Sequence, residues 1–272
     1  GAGRATLPTV KVNRGGTGYT PRAGAPGVRA ATSSPFDVAA GPVAKPAFTA
    51  QPVTTTGGVA LPPVQVAAQD SLGNTVPDFT DPVTLTIGTN PGGGTLSGTT
   101  TVTAVAGVAT FSTLSIDKSG TGYRLVAQWS NVTQTSSAFS ITPLAVTQLS
   151  FTVQPRSSPA GGVISPAVRV AAVDGFGNTV TSFTGTVTIA IASNPVGGTL
   201  SGTTAVAAVN GVAVFSTLSI DNLGTGYTLR ATATGLTETT SAVFNIVTVV
   251  TTQLVFTAQP VTTTAGVTLP PV

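Results

Sequence analysis

Few side chains in this chain could do chemistry. They are eight carboxylates, eleven Lys and Arg, three tyrosines and one tryptophan, with no histidine or cysteine in 272 residues. Without histidine the commonest general base and metal-binding imidazole are missing. Without cysteine there is no thiolate nucleophile, disulfide framework or thiolate metal site. A pair of carboxylates can act as acid and base, and Asp78 and Asp81 are the close pair. A second copy of the same segment replaces them with Ser182 and Gly185, so a solvated turn is expected there. Calcium needs only hard oxygen ligands, and Asp70/Asp174 and Asp117/Asp221 recur. Each stands alone rather than in a D-x-D-x-D cluster, and turn stabilisation accounts for them. Gly92-Gly93-Gly94 and Gly197-Gly198 lack the Lys and helix of a phosphate loop and are expected to be turns. Asn131-Val132-Thr133 has the glycosylation pattern in one copy only. Lys118 has no counterpart at Asn222, which argues against a repeat-wide isopeptide staple. These residues imply no catalytic, cofactor-binding or metal site: catalytic none, cofactors none, metal none, and no enzyme.

The elements that carry these residues repeat. The block from Asn90 to Asp117 returns from Asn194 to Asp221, 104 residues later, and Gln51-Pro52-Val53-Thr54-Thr55-Thr56 returns at Gln259 after two periods. Gly16-Thr17-Gly18-Tyr19 precedes Gly120-Thr121-Gly122-Tyr123 and Gly224-Thr225-Gly226-Tyr227 by the same spacing. A unit of that size can bury its own core, whereas solenoid units of roughly 20–50 residues need their neighbours. The expected organisation is a C-terminal half-repeat at 1–46, complete repeats at 47–145 and 146–250, and the first strands of a further repeat at 251–272.

Within a repeat the apolar residues alternate with period two, and Pro and Gly punctuate them, which predicts an all-β fold. A first strand is expected near Ala47–Gln51. Val64–Ala68 is the second and ends at an Asp-x-x-Gly-Asn turn, Asp70–Asn74, matched by Asp174–Asn178. Val83, Leu85 and Ile87 should face the core, as should Val187, Ile189 and Ile191. Thr95–Val105 should hold one or two edge strands. Val108–Ile116 should be one strand with a bulge where its inward set changes phase between Phe111 and Leu114. About seven short strands per unit is the spacing of a β-sandwich, with a barrel as the alternative. Tyr123 and Tyr227 each follow an Asp and a Gly-Thr-Gly corner. There a tyrosine hydroxyl bonding back to the backbone is the structural expectation, and ligand contact is the alternative.

The segments V-x-V-x-A-x-D-x-x-G-N-x-V, G-T-L-S-G-T, G-V-A-x-F and G-T-G-Y-x-L-x-A resemble the bacterial Ig-like repeats of invasin/intimin-type surface proteins. The resemblance covers both complete repeats and implies tandem immunoglobulin-like β-sandwiches of about 104 residues, set in a stalk on a cell surface. Thr75 and Thr179 stand where that pattern has Pro after Gly-Asn, and no lectin-like adhesive domain is recognised.

Charged residues make up 7% of the chain against about 25% in ordinary soluble domains, while hydrophobic content is 41%. The exterior must be mostly Thr, Ser, Gly, Asn and Gln, which suits lateral packing or glycan cover. The net charge is +3. Six basic residues (Arg4, Lys11, Arg14, Arg22, Arg29, Lys45) precede position 46, opposed there only by Asp37; the remainder has five basic against seven acidic. Wide spacing without interleaved aromatics makes no phosphate-tracking stripe, so no nucleic acid is expected as partner. No apolar run reaches the roughly 18–20 residues of a bilayer span, so no membrane span is expected. Trp129 is the single Trp and its counterpart is Ala233, a weak basis for a polysaccharide-binding module.

The joints Ile141–Leu149 and Ile246–Leu254 are short and apolar, unlike flexible Gly/Ser linkers, so semi-rigid connections are expected. Gly3–Leu7 aligns with Gly107–Phe111, and Leu269–Val272 with Leu61–Val64. Two readings of these partial copies stand: a window of a longer array, or incomplete sandwiches completed by a neighbouring subunit. Pro21, at the inward place of Leu125 and Leu229, is expected to remodel the N-terminal piece. The functional expectation is an extracellular or cell-surface structural protein that forms a fibre, filament or surface layer by self-association, head-to-tail or lateral. The alternative is the stalk segment of a bacterial adhesin, with cell-surface or glycan contact.

Overall fold

Alternation of buried and exposed residues along nearly every segment is what the computed structural model turns into sheet; it describes residues 6, 9–248, 258–259 and 261–268. The fold is all-β, and each complete repeat is a sandwich of two sheets. The chain forms two compact units: residues 1–145 together with Asp174–Asn178, and residues 146–173 together with 179–272. The expected match at Gly3–Leu7 (save Thr6), the end of the expected joint Ile246–Leu254 from position 249 on, and positions 251–257, 260 and 269–272 of the expected further repeat lie outside the described residues.

The first unit opens with four short strands: β1 (Gly16–Tyr19), β2 (Arg22–Ala23), β3 (Ala31–Thr32) and β4 (Phe36–Val38). β1 pairs antiparallel with β4, and β2 with β3. Pro21 falls in the break between β1 and β2, where the complete repeats run one strand without interruption. That follows from its missing N–H.

The complete repeat follows with β5 (Lys45–Ala50), β6 (Thr55–Thr56), β7 (Val64–Gln69), β8 (Pro82–Thr89), β9 (Leu96–Ser97), β10 (Thr101–Thr103), β11 (Val108–Phe111), β12 (Ser115–Ile116), β13 (Gly120–Trp129), β14 (Val132–Thr135) and β15 (Phe139–Thr142). One sheet has the order β10-β8-β13-β15-β6, with β14 also on β13; the facing sheet is β11-β7-β5. β6 runs parallel to β15 while every other pair in the unit is antiparallel. Val64, Val66 and Ala68 of one sheet pack on Val83, Leu85, Leu125 and Ala127 of the other, all at most 1% exposed. Each large aliphatic so buried contributes about 1.5–3 kcal/mol.

The segment Val108–Ile116 is two strands, not one bulged strand. β11 pairs with β7, and β12 leaves to pair with β9. The phase change between Phe111 and Leu114 marks this change of partner, and both side chains are buried.

The second unit repeats the plan with β16 (Gln148–Val153), β17 (Ser158–Pro159), β18 (Val168–Val173), β19 (Thr186–Ser193), β20 (Leu200–Ser201), β21 (Ala205–Ala207), β22 (Val212–Phe215), β23 (Ser219–Ile220), β24 (Gly224–Thr232), β25 (Thr239–Thr240) and β26 (Phe244–Val247). Its sheets are β17-β26-β24-β19-β21, with β25 on β24, and β16-β18-β22.

One side of the sandwich differs between the units. In the second, Leu149 N–H donates to the Thr237 carbonyl at 3.0 Å and Thr237 N–H to Thr147 at 3.0 Å, which closes the seam beside β16. Pro46 pairs with Ala68 as Leu149 pairs with Ala172, so proline takes the place of that donor in the first unit. There the seam holds a cavity of about 240 Å³ lined by Lys45, Pro46, Gln51, Gln69 and Gln134.

Candidate functional site

The Asp-x-x-Gly-Asn turn, which begins at the calcium candidates Asp70 and Asp174, ends the second strand of each sandwich and gathers more side-chain hydrogen bonds than any other position singled out for chemistry. Asp70 Oδ1 accepts the N–H groups of Leu72 (2.9 Å) and Asn74 (2.8 Å), and Oδ2 accepts from Gly41 N–H (2.9 Å) and Asn74 Nδ2 (2.9 Å). Asp174 repeats this with Phe176, Asn178 and Leu144 N–H and with Asn178 Nδ2, at 2.9–3.0 Å. Four N–H donors occupy the lone-pair directions of each carboxylate. That is the chemistry of a held anion and leaves little for a cation.

The Asn74 side chain, with the Gly41, Asn74 and Leu72 N–H groups, holds the Asp70 carboxyl down at about 2 against the usual 3.8, despite opposing desolvation. At Asp174 burial pushes the carboxyl up. The Asn178 amide and the N–H groups of Asn178, Leu144 and Phe176 outweigh it and leave the carboxyl below its ordinary value.

Asn74 and Asn178 also reach away from their own turns. Asn74 Nδ2 donates to the Asn13 carbonyl (2.9 Å) and its Oδ1 accepts Gly15 N–H (3.0 Å). Asn178 Nδ2 donates to the Asp117 carbonyl (2.9 Å) and its Oδ1 accepts Ser119 N–H (2.9 Å). Sequence reasoning read these asparagines as turn residues only. The available signal was their recurrence with Asp at the same spacing, which a turn alone does not demand.

The other sequence candidates are not brought together. Asp78 and Asp81 are exposed. Asp117 Oδ1 accepts Thr95 N–H and Asp221 Oδ1 accepts Thr199 N–H, each at 2.7 Å, so both brace the strand after the Asn-Pro turn. That turn is clasped at Asn90, whose amide exchanges two hydrogen bonds with Gly94, as Asn194 does with Gly198.

Tyr123 and Tyr227 are fully buried, and their hydroxyls donate to the carbonyls of Lys118 (2.8 Å) and Asn222 (3.0 Å). Tyr19 does the same to Arg14 at 2.9 Å. Burial raises the Tyr123 phenol above its usual value. Trp129 is 8% exposed and tilts against Phe79 with ring centroids 4.8 Å apart, so it is a core residue rather than a stacking platform. Lys118 Nζ donates to the Phe176 carbonyl.

A cleft of about 600 Å³ opens beside Asn74, lined in part by Arg14, Asp37 and Asp78. Asp37 Oδ1 is already engaged by Gly18 N–H at 2.8 Å. Among the described residues no three His, Cys, Asp or Glu side chains gather as a metal ion would require. No helix among them is long and apolar enough to cross a membrane.

No family model matches the sequence, and no curated protein does. The chain is similar to the Escherichia coli adhesin FdeC at 16% identity, over 78% of this chain and 68% of that one, with a TM-score of 0.36. It is similar to domains 5–6 of the S-layer protein SbsC at 19% identity, over 76% and 99%, with a TM-score of 0.28. A β-glycosidase from Bacteroides vulgatus aligns at 14% identity and a TM-score of 0.35 over 74% of this chain, which spans about a quarter (24%) of the glycosidase.

Proposed function

We propose that the chain is an extracellular or cell-surface structural protein that self-associates into a fibre, filament or surface layer, and that it does no catalysis. The observation that carries this reading is an apolar tip presented by each sandwich at one-repeat spacing. Val105 is 77% exposed and Val209 is 71% exposed, each at the mouth of a tight hairpin turn. An exposed aliphatic is ordinary by itself. Two at equivalent positions of the repeat, in a chain with 7% charged residues, offer each sandwich the same apolar contact and little self-repulsion. The partner is a second copy of the same chain.

Negative-stain microscopy of the purified chain, concentrated at neutral pH, is expected to show ordered polymers. A Val105→Asp, Val209→Asp double variant should keep its circular dichroism and thermal unfolding, because both positions are exposed, yet lose assembly. A wild-type chain that stays monomeric throughout overturns the reading in favour of a passive stalk.

A further inference from the structure

We propose that the open seam of the first sandwich is a socket for the hairpin tip Val209-Asn210 of a second copy of the chain. The inference rests on the self-association proposed above and names the surface that receives the tip. In the second sandwich the same seam is shut, where Leu149 and Thr237 bond across it. Two differences leave it open in the first. Pro46 has no N–H to give at the place of Leu149. The strand beside it, β14, keeps four residues paired with β13, whereas β25 keeps two on β24 and Thr237 crosses to bridge Gln148 of β16.

What remains is a cavity of about 240 Å³ with a mixed lining. Pro46 and Phe48 give it an apolar wall, and Lys45 with the amides of Gln51, Gln69 and Gln134 gives it a polar one. Those amides have bonding capacity to spare. Gln51 accepts Ser137 N–H and Gln134 donates to the Thr135 carbonyl, which uses one end of each. Among the described residues the Gln69 amide makes no hydrogen bond. The volume is that of about eight liquid waters, enough for an isopropyl group beside a carboxamide.

The tip of the second sandwich carries those two groups side by side. Val209 is 71% exposed, and the neighbouring Asn210 amide is exposed and makes no hydrogen bond among the described residues. Val209 and Val212 exchange both backbone bonds, at 2.9 and 3.0 Å, around an Asn-Gly pair at φ 50° and 77°. That pair suits such a turn, so the tip has one shape before it meets a partner and loses little entropy on docking. The tip of the first sandwich has Ala106 in place of Asn210 and offers no amide to the three glutamines. Size, apolar contact and amide pairing together select Val209-Asn210. A tip and a socket at different places on one chain make a heterologous contact, which passes from copy to copy.

Because the chain has no cysteine, single introduced thiols report the contact. A Gln134→Cys chain is mixed with a mass-tagged Asn210→Cys chain and oxidised; both positions are exposed, so each chain should keep its circular dichroism. Non-reducing electrophoresis should show the mixed disulfide at least about tenfold above a control mixture of Gln134→Cys with Ser182→Cys. A mixed disulfide no stronger than the control overturns the socket. Wild-type polymers in negative stain would then mean that self-association stands and uses another surface. The mixed disulfide without wild-type polymers keeps the socket and overturns the filament reading. Gln134→Trp, which fills the seam, gives a second measurement. It should abolish polymers with the circular dichroism unchanged, and polymers that persist overturn the socket.

Discussion

At the scale of single residues, the polar groups that looked like candidates for chemistry are mostly occupied in holding backbone. The carboxylates of Asp70, Asp117, Asp174 and Asp221 accept N–H groups, and the buried tyrosines donate to carbonyls. Ser136 and Ser241, which the sequence did not single out, do likewise. Each Oγ accepts an N–H across the kink before the last strand (Leu125 and Leu229, both 2.9 Å) and donates onward at 2.8 Å. Ser158 departs from this economy. It is 4% exposed, and its hydroxyl has no partner among the described residues. An unpaired buried hydroxyl costs about 1–3 kcal/mol. Ser158→Ala is therefore expected to raise the unfolding free energy by about 1 kcal/mol in chemical denaturation, and a loss of stability would show that the hydroxyl has found a partner.

At the scale of elements, turns decide how well each copy fits the shared plan. The hairpins Val105–Val108 and Val209–Val212 both place two central residues in the left-handed region: Ala106 and Gly107 at φ 49° and 79°, Asn210 and Gly211 at 50° and 77°. Asn-Gly is the favoured pair for such a type I′ turn, whereas alanine resists positive φ. Ala106→Asn should stabilise the first unit by about 0.5–1 kcal/mol, read as a higher urea midpoint with unchanged slope. A lower midpoint would refute the account. The seam beside β5 follows the same logic, because Pro46 has no N–H to give where Leu149 closes the second sandwich. Most strands and their inward faces were legible from period-two alternation. The split of Val108–Ile116 was not, because a change of strand partner and a bulge shift the pattern alike.

At the scale of the whole molecule, depressed carboxyls set the response to acid. Asp70 titrates at about 2 in the folded chain against 3.8 when free, and Asp174 is also lowered. A lowered folded pKa stabilises fully above the unfolded value and loses that contribution as pH falls towards the folded one. Melting temperature should therefore decline as pH drops from about 3.8 towards 2, beyond the decline expected of unperturbed carboxylates. An Asp70→Asn, Asp174→Asn double variant should show a shallower acid decline, read from thermal melts at successive pH values. An identical acid limb would mean these two carboxylates are not the groups responsible. Asp221 is lowered as well, chiefly by Thr199 N–H, so part of the decline should survive.

The sequence by itself determined the period, the all-β sandwich, the inward faces and the identity of the turns. Each of these is written in local chemistry: alternating side chains, positive-φ glycines, and prolines that end strands. It also placed Tyr123 and Tyr227 at a structural corner. Tertiary structure alone decided what the turn asparagines hold, for their partners Asn13, Gly15, Asp117 and Ser119 lie 59 or 61 residues away. Those partners are backbone groups, which every residue carries and no sequence pattern marks. It alone also put Trp129 in the core, since burial there depends on Phe79 arriving from another part of the sandwich. Local periodicity reports which way a side chain points, but contact across the fold reports what it meets.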